Sequence, residues 1–422
     1  MTLQSNNPIV LEDLCALVVE QVKPENAEDS VYIGLEHISP GKIFSNSSGY
    51  AEDVQSHKYV FRKNDVLYGK LRPYLDKAVL AKTDGICTTE LLVLRPNEGV
   101  FPLFLACMLH NKDFIDYAME GVTGVQHPRT SWAHIKNYEI GKFSQEVSRK
   151  IGILLSTVQK ASLYNENLFK LAGELKHATM HKLFTYGLRG EPQKETDIGL
   201  VPESWDVKRL DDCARVISTR MTYAELESLE DSAGGVRVLG IKVSDMNSIG
   251  NESVISHANT ERMMPLEMAK QRCAPPKTIV FPKRGAAIAT NKKRITSSWS
   301  VFDPNVIGVI ANSNLSAMYL FYWFQMFNLQ TITEPGPTPQ LNKKHLDPLR
   351  VQLPQIEKEQ QELVDILDAI DQKIDLHRRK KAVLGELFKS LLHKLMTGEI
   401  RVDDLNLSAL ENMQLEAQGG AA

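Results

Sequence analysis

The same short motif ends two long helical segments of the chain. His181-Lys182-Leu183-Phe184-Thr185 recurs as His393-Lys394-Leu395-Met396-Thr397, 212 residues later. Each copy follows a region rich in β-strand patterns, so the chain has the order domain–helix–domain–helix. A repeat of this length governs the whole fold. We therefore expect an internal pseudo-twofold symmetry, which suits a two-part target.

Both helical segments carry apolar residues spaced alternately four and three apart, which is typical of a coiled coil. In the second copy these are Leu363, Leu367, Ile370, Ile374, Leu384, Phe388, Leu391 and Leu395. The first copy keeps the frame but is more polar, and Lys176 stands where the second copy has Phe388. A neighbouring row is expected to supply the missing contacts: Leu154, Val158, Ala161, Leu168, Ala172 and Leu175. Asn165 and His377 occupy matching positions and favour one register.

The helices are predicted at 146–188 and 356–398, packed antiparallel. Each is roughly 60 Å long at about 1.5 Å per residue. Both end at a glycine, Gly187 or Gly398, a residue that commonly follows a helix. The alternative is two unrelated amphipathic helices, which the shared frame and the shared endings disfavour.

Matching strand patterns precede the two helices. The first region has them at 31–38, 65–68 and 91–94, and the second at 236–243, 278–281 and 306–310. Asp65–Lys70 in the first region aligns with Thr278–Lys283 in the second. The sequence thus predicts a mixed α/β (α+β) fold with two similar domains, 1–145 and 199–355. A linker at 189–198 and an acidic, disordered tail at 399–422 complete the predicted organisation.

Length and composition set further limits. A chain of 422 residues is long enough for two or three domains. Its five cysteines have neither a CxxC pair nor zinc-ligand spacing, and are typical of buried thiols in a reducing compartment. We find no signal-peptide pattern and no apolar stretch long enough to cross a membrane, so we expect a cytoplasmic protein. The net charge of −3 does not exclude nucleic-acid binding, because binding needs only a local basic patch.

Basic residues surround the strand that the two regions share. In the first region they are Lys58, Arg62, Lys63, Lys70, Arg72 and Lys77, with Tyr74 interleaved. In the second, the run from Pro282 to Arg294 contains no acid and five basic residues: Lys283, Arg284, Lys292, Lys293 and Arg294. Small residues in that run let a phosphate approach the backbone, and lysine and arginine neutralise it. The alternative is a strand edge protected by solvated lysines.

A second candidate surface lies shortly before each long helix. It contains Gln126, His127 and Arg129 in the first region. In the second it contains Thr338, Gln340, Asn342, Lys343 and Lys344. Arginine and lysine can pair with the edge of guanine, and glutamine and asparagine can pair with the edge of adenine. These side chains therefore suit the reading of base edges. An ordinary proline-containing loop is an equally good interpretation of the residue types alone.

Catalytic motifs are missing from the sequence. It has no GxxxxGK[ST] phosphate loop, no HExxH, no GxSxG and no Asn-Pro-Pro-aromatic segment of adenine methyltransferases. Asp371-Gln372-Lys373 has the form of a nuclease fragment but lies inside a helix pattern, where alternating charge is expected. We predict that the chain is not an enzyme and holds no metal or cofactor.

An ordered set of motifs resembles the DNA-specificity subunit of type I restriction-modification systems. The motifs are Asp65-Val66-Leu67-Tyr68-Gly69-Lys70-Leu71-Arg72-Pro73-Tyr74-Leu75, Val201-Pro202-Glu203-Ser204-Trp205, Ile279-Val280-Phe281-Pro282-Lys283-Arg284-Gly285, Leu353-Pro354-Gln355-Ile356 with Glu359-Gln360, and the two helix endings. The likeness spans roughly residues 1–400. One departure is Phe143-Ser144-Gln145-Glu146, where the first helix lacks the Leu-Pro and Glu-Gln entrance of the second.

The resemblance implies two target-recognition domains, each holding half of a split double-stranded DNA site, with the helices as a spacer. It also implies two modification subunits that use S-adenosylmethionine to methylate adenine. Restriction subunits using ATP and Mg would complete the complex. Two alternatives are a structural coiled-coil adaptor and a self-contained methyltransferase or nuclease, of which the latter needs a motif that the chain lacks.

Overall fold

The computed structural model describes residues 9–333, 336 and 339–405. The chain divides into two compact units of mixed α/β architecture. Unit 1 holds the residues up to Phe169 together with those from Leu376 onward, and unit 2 holds Lys170–Asp375. Each unit contains one strand-rich domain and one half of each long helix. The predicted fold class and the domain–helix–domain–helix repeat are thereby confirmed.

The domain of unit 1 precedes the first long helix. Its strands are β1 (Ile9–Val10), β2 (Cys15–Val18), β3 (Gln21–Val22), β4 (Val31–Ile33), β5 (Gly49–Tyr50), β6 (Lys58–Phe61), β7 (Val66–Gly69), β8 (Ala78–Leu80), β9 (Gly85–Cys87), β10 (Leu91–Pro96) and β11 (Glu139–Ile140). Its helices are α1 (Leu11–Leu14), α2 (Pro102–Met108), α3 (Lys112–Glu120), α4 (Trp132–Ile135) and the long α5 (Gln145–Tyr186).

Two small sheets organise this domain. One has the order β2-β10-β7-β8 and is antiparallel, and the other has the order β3-β6-β9-β4-β5. Every residue of β7 is buried, because the strand is central in its sheet and is covered on both faces. Strand β7 therefore fixes where the loop that follows it emerges.

The domain of unit 2 repeats this plan. Its strands are β12 (Gln193–Thr196), β13 (Gly199–Pro202), β14 (Trp205–Arg209), β15 (Ala214–Ile217), β16 (Val236–Ile241), β17 (Val254–Ile255), β18 (Thr260–Met264), β19 (Ile279–Pro282), β20 (Arg294–Thr296), β21 (Trp299–Phe302), β22 (Val306–Ala311) and β23 (Arg350–Pro354). Its helices are α6 (Leu210–Cys213), α7 (Tyr223–Glu227), α8 (Leu266–Arg272), α9 (Ala286–Ala289), α10 (Ala317–Gln325), α11 (Lys343–Leu346) and the long α12 (Glu357–Met396).

Strand β19 occupies in unit 2 the place of β7 in unit 1. It lies between β22 and β20 in the sheet β15-β22-β19-β20-β17, and all four of its residues are buried. A second sheet has the order β18-β16-β21. Helix α10 covers the core with six buried residues, Tyr319 to Phe324, which accounts for the aromatic-rich pattern of that segment.

The bounds of the long helices differ from the predicted ones by at most two residues. Each helix is followed by a glycine in the left-handed region, Gly187 at φ 66° and Gly398 at φ 75°. Glycine adopts this conformation without the steric cost that a side chain brings. The repeated motifs at 181–185 and 393–397 therefore mark the ends of the two long helices.

Within each unit the two helix halves run antiparallel. In unit 1 the backbone carbonyl of His377 accepts a hydrogen bond from the Asn165 amide, and Lys381 pairs with Glu166 at 2.7 Å. In unit 2 the Lys176 ammonium lies 2.7 Å from an Asp371 oxygen. The predicted polar pair of the seam thus makes a direct contact.

The neighbouring row in the first helix supplies only part of the contacts predicted for it. Leu154 is buried in the core of unit 1 and Val158 packs against that core, whereas Leu175 is 57% exposed and Ala161 is also exposed. Other buried residues follow the frame shared with α12: Ile151, Leu155, Ser162 and Leu183. The seam of α5 is simply more polar than that of α12, because small polar side chains such as Ser162 fit between packed helices.

The Glu-Gln pair at the start of α12 ties the helix to its domain. Glu359 and Gln360 are buried. The indole Nε1 of Trp205 donates to Glu359 at 3.3 Å, and the Ser316 amide donates to Gln360 at 3.0 Å. In α5 the entrance is simpler, since the Ser144 hydroxyl accepts a hydrogen bond from the Val147 amide at 3.2 Å. This is the structural basis of the departure noted in the sequence.

Two predicted segments need correction. The linker at 189–198 is partly a strand, since β12 pairs with β13 in a hairpin. Of the tail predicted at 399–422, residues 399–405 are folded onto unit 1, where Val402 is buried against the core. Lys150 also pairs with Asp403 at 3.0 Å. These contacts arise because Ile400, Val402 and Leu405 form an apolar group that the acidic composition concealed; residues 406–422 lie outside the described part.

Candidate nucleic-acid interface

In unit 2 the basic loop and the loop before the long helix lie side by side. Strand β19 pairs antiparallel with β20, so residues 283–293 form the connection between their ends. The Gly285 amide donates to the Pro339 carbonyl and the Leu341 amide to the Lys283 carbonyl, both at 2.9 Å. A bridge between Arg284 and Gln340 lies between these bonds. The structure therefore unites the two candidate segments of this unit.

Unit 1 contains an equivalent set of backbone hydrogen bonds between its two candidate segments, and we call this set the ladder of each unit. The Arg72 amide donates to the Pro128 carbonyl at 2.7 Å, and the Thr130 amide donates to the Lys70 carbonyl at 3.0 Å. Lys70 is also held by the residue before β10, since its amide donates to the Glu90 carbonyl at 3.0 Å. The match with unit 2 is residue by residue: Lys70 with Lys283, Arg72 with Gly285, Pro128 with Pro339, and Arg129 with Gln340.

Arg72 adopts a backbone conformation that its counterpart leaves to glycine. Its φ is 50°, and that of Gly285 is 65°. A non-glycine residue in the left-handed region costs roughly 1–2 kcal/mol. The guanidinium lies against the adjacent loop, with Nη2 3.4 Å from the Gln126 carbonyl, and its Nε is buried without a partner among the described residues. Such local strain at a loop is typical of functional positions.

Three other candidates in unit 1 surround Arg72. Gln126 and His127 are exposed, and Tyr74 is 52% exposed. Arg129 is less available, because Glu90 accepts two hydrogen bonds from its guanidinium, at 2.9 and 3.1 Å. These bonds raise the pKa of Arg129 above its ordinary value and neutralise its charge within the loop.

Two lysines of the predicted patch in unit 1 are used internally. Lys58 is buried, with its ammonium donating to the carbonyl and hydroxyl of Ser56 at 2.7 Å. Burial lowers the pKa of Lys58. The Lys77 ammonium donates to the Leu35 carbonyl at 2.6 Å. The prediction that these two lysines face a ligand is therefore not supported by their contacts, which satisfy backbone carbonyls instead.

Arg62 and Lys63 lie at the wrong end of the strand. They precede β7, whereas Lys70 and Arg72 follow it. The Arg62 and Lys63 amides bind Asp65 and Asp84. A strand of four residues separates its ends by about 13 Å, so this pair does not join the ladder surface. The prediction of one continuous patch is corrected to that extent.

The five basic residues of unit 2 also divide into two groups. Lys283 is half-buried and Arg284 is exposed beside the ladder. Lys293 is 1% exposed and binds Asn291 and the Phe327 carbonyl, and burial lowers its pKa to about 8. Lys292 binds the Asn247 side chain, and Arg294 donates to the Met246 carbonyl at 3.0 Å. In the second group, Lys292 and Arg294 thus fasten the neighbouring loop at 246–247 and Lys293 is buried, so none of the three extends outward.

The remaining candidates lie around Gln340, which is exposed. Asn342 precedes α11 as its N-cap, with its amide bound to His345 at 3.1 Å. Lys343 is exposed and lies 3.9 Å from Asp347, and Lys344 is exposed on the same short helix. Thr338 falls outside the described residues.

Two segments at this end of unit 2 escaped the sequence reasoning. Ser218, Thr219 and the exposed Arg220 follow β15, and Ser218 and Thr219 border a groove shared with Lys283 and Arg284. The loop at 242–251 follows β16 and is fastened to the basic run. A polar triplet with arginine after a strand was a visible signal for Arg220. The pairing of β15 with β22, which places the triplet here, was not visible.

The described residues contain no group of three or more His, Cys, Asp or Glu side chains able to hold a metal ion. Four of the five cysteines are buried, as expected. Burial raises the pKa of the Cys15 and Cys87 thiols to about 12, which keeps both protonated near neutral pH. Among helices of the described part, none has the length and apolarity of a membrane span.

Comparisons with known proteins agree with this architecture. A family model, the type I restriction modification DNA specificity domain, matches residues 202–386. The putative type I restriction enzyme MjaX specificity subunit of Methanocaldococcus jannaschii is 22% identical over 391 residues, covering 87% of this chain and 86% of the relative. The MjaVIII specificity subunit of the same organism is 22% identical, covering 84% and 83%.

Solved structures show the same fold. The type I restriction-modification S subunit from M. genitalium matches with a TM-score of 0.59 at 15% identity, covering 93% of this chain and 97% of that one. A chain from a study of assembly and conformational transition of the type I R-M system matches with a TM-score of 0.51 at 19% identity, covering 93% and 98%.

Proposed function

This chain belongs to the family of DNA-specificity subunits of type I restriction-modification systems, and we propose that its two domains read the two halves of an asymmetric, bipartite DNA site. It recognises DNA sequence for the system. The non-catalytic role predicted from the sequence stays part of the proposal, and the relatives named above give no support to the adaptor alternative.

The observation that carries the proposal is the repeated ladder with different side chains. One scaffold presents Arg72 and Arg129 in unit 1. At the equivalent places in unit 2 it presents Gly285 and Gln340. A scaffold kept constant while its outward residues change is what two readers of different sequences require. The two half-sites should therefore differ.

The side chains at the ladder suit both parts of DNA recognition. Lys70, Lys283 and Arg284 would neutralise phosphates, a contact that gives affinity without sequence preference. Gln126 and Gln340 are exposed beside them, and glutamine can pair with both hydrogen-bonding groups of an adenine edge. Thr338, Asn342, Lys343 and Lys344 stay candidates for the same surface in unit 2.

The long helices are proposed to set the spacing of the half-sites. Helix α5 has 42 residues, which corresponds to about 63 Å at 1.5 Å per residue. Twofold-related DNA readers bind half-sites about one helical turn, or a multiple of it, apart. Helices of this length are long enough to serve such a spacing.

Partner subunits would supply the chemistry. Two modification subunits carrying S-adenosylmethionine would flip and methylate one adenine in each half-site, and restriction subunits would use ATP and Mg. Apolar residues exposed on the long helices, such as Leu171, Leu175 and Val383, offer surfaces for their docking. We also propose a cytoplasmic location, where the DNA lies.

The direct test is single-molecule sequencing of adenine methylation in cells with and without this gene. Deletion should remove one asymmetric, two-part methylated motif, and the intact gene should restore it. An unchanged methylome, together with no sequence selected by the full chain and its co-purifying subunits from a random DNA library, would contradict the proposal.

A variant test locates the interface in unit 2. The double substitution Lys283→Ala and Arg284→Ala should weaken DNA binding about tenfold or more and reduce its dependence on salt concentration. The matched control is Lys277→Ala, an exposed lysine at the other end of β19, which should bind as the wild type does. Equal effects of both changes would show that the ladder end of β19 is not the DNA-facing one.

A further inference from the structure

One apolar side chain stands exposed in a loop whose other parts are fixed. Ile249 is 90% exposed, on the loop that joins β16 to β17. Two residues later, Asn251 is fully buried and donates to the carbonyls of Asp245 and His257 at 2.9 and 2.8 Å. The Asn251 side chain also accepts a hydrogen bond from the Ser256 amide at 3.0 Å.

The base of the loop is equally well fixed. The carboxylate of Asp245 is fully buried and accepts from the Lys242 amide at 2.8 Å and from the Asn259 amide at 3.2 Å. A loop held by two buried polar side chains loses little conformational entropy when a ligand contacts it. Ile249 is therefore presented by a rigid support.

The loop lies at the same end of unit 2 as the basic ladder. Strand β16 ends at Ile241, whose carbonyl accepts from the Asp303 amide at 2.9 Å. Two residues later, the Asn305 carbonyl accepts from the Lys283 amide at 2.7 Å. Lys292 and Arg294 bind Asn247 and Met246 within the loop itself. These bonds hold the loop that carries Ile249 beside the basic run that begins at the ladder.

We infer that Ile249 contacts the C5-methyl group of a thymine in the half-site that unit 2 reads, an inference that rests on the proposed function. The major-groove edges of the bases are polar except for this methyl group, which is the apolar partner that DNA offers there. Lys283 and Arg284 at the ladder would contact phosphates of the same half-site. Burying one methyl group against an aliphatic side chain contributes about 0.8 kcal/mol, or about fourfold in affinity.

The test replaces thymine by deoxyuridine, which lacks only the methyl group. The wild-type full chain, with its co-purifying subunits, first selects its site from a random duplex library. Each thymine of the selected duplex is then replaced singly, and the dissociation constant is measured. One replacement should weaken wild-type binding about three- to tenfold, and Ile249→Ala should bind the two duplexes equally.

Two variants complete the experiment. Leu266→Ala removes a 41% exposed side chain next to Met264, which pairs with Val236 at the opposite end of β16; it should keep the full methyl dependence. Ile249→Val should keep most of it. The inference is overturned if no replacement affects the wild type, or if Ile249→Ala retains the wild-type dependence. Failure of the wild type to select any sequence would overturn the proposed function itself, and this inference with it.

Discussion

The two units attach their domains to the long helices at equivalent positions by different chemistry. In unit 1, the ring of His110 lies against Phe388, with centroids 6.3 Å apart, and His110 also binds Asp76 at 2.6 Å. In unit 2, 212 residues after His110, the Tyr322 hydroxyl oxygen lies 2.5 and 2.8 Å from carboxylate oxygens of Asp368 and Asp371, which share its single proton.

The helix residues that meet these two side chains are also equivalent. Phe388 in unit 1 corresponds to Lys176 in unit 2, whose ammonium pairs with Asp371 at 2.7 Å and lies 5.1 Å from the centre of the Tyr322 ring. Asp368 corresponds to Ser156, which is fully buried. The repeat thus preserves the positions at which each domain meets the helices, but the type of contact differs between the two units. An apolar contact depends on shape, whereas a half-buried charged network depends on the presence of every partner.

The apolar junction should show the largest single effect. Phe388→Ala removes a side chain that is 5% exposed in the core of unit 1. We expect a loss of about 3–4 kcal/mol in the stability of that unit. Hydrogen exchange resolved by residue should accelerate in α2 and the start of α5, and not in α10.

The control for this change is Leu387→Ala, which removes a 41% exposed neighbour on the same helix and should alter exchange little. Equal acceleration in both units after Phe388→Ala would mean that the junctions are not independent.

A substitution at the charged junction of unit 2 should reduce the stability of that unit less than Phe388→Ala reduces the stability of unit 1. Lys176→Met leaves Asp371 and Asp368 with the Tyr322 hydroxyl as their donor in the network. Because the ion pair is partly exposed, we expect about 2 kcal/mol, below the 3–5 of a fully buried pair. Lys170→Met, on an exposed lysine of the same helix, is the matched control.

A double-mutant cycle sharpens this result. Adding Asp371→Asn to Lys176→Met should cost less than the sum of the two single changes, since the second removes the charge left unpaired by the first. Strictly additive losses, measured by chemical unfolding followed in unit 2, would contradict a coupled network.

The ladders of the two units differ at one left-handed position, which is Arg72 in unit 1 and Gly285 in unit 2. Arg72→Gly should stabilise unit 1 by about 0.5–1 kcal/mol, because glycine accepts the left-handed conformation without strain. The same change should weaken DNA binding several-fold, since a guanidinium is lost. Arg72→Ala should weaken binding equally without stabilising the unit. A fall in stability after Arg72→Gly would show that the guanidinium contacts outweigh the strain.

Patterns that are local in sequence predicted much of this fold. The heptads, the glycine stops and the alignment of Asp65–Lys70 with Thr278–Lys283 each depend on residues a few positions apart. They located both helices and both ladder strands. The mismatch of Lys176 with Phe388 was also visible, although its meaning needed Tyr322 and His110, which pack there only through tertiary structure.

The direction of individual basic side chains was less predictable. Lys77 and Lys293 turn inward because the carbonyls of Leu35 and Phe327 lie close to them in the fold, and these partners are remote in sequence. The displacement of Arg62 and Lys63 could have been foreseen, since residues before and after a strand lie at opposite ends of it. Ile249 gave no signal, because an isolated isoleucine in a sequence is more often buried.

The smallest predicted effect is a dependence on pH that only the charged junction shows. Burial raises the pKa of Asp368 above its ordinary value of 3.8, so the folded protein holds this proton more tightly than the unfolded chain. The charged carboxylate therefore costs stability. The cost is absent below pH 3.8 and grows as the pH rises through the folded pKa.

Asp368→Asn should gain stability relative to the wild type between about pH 4 and pH 7, as measured by unfolding of unit 2. Ser156→Ala, at the equivalent place in unit 1, should show a constant difference over the same range, because a hydroxyl does not titrate there. A constant difference for Asp368→Asn as well would remove the electrostatic distinction between the two junctions.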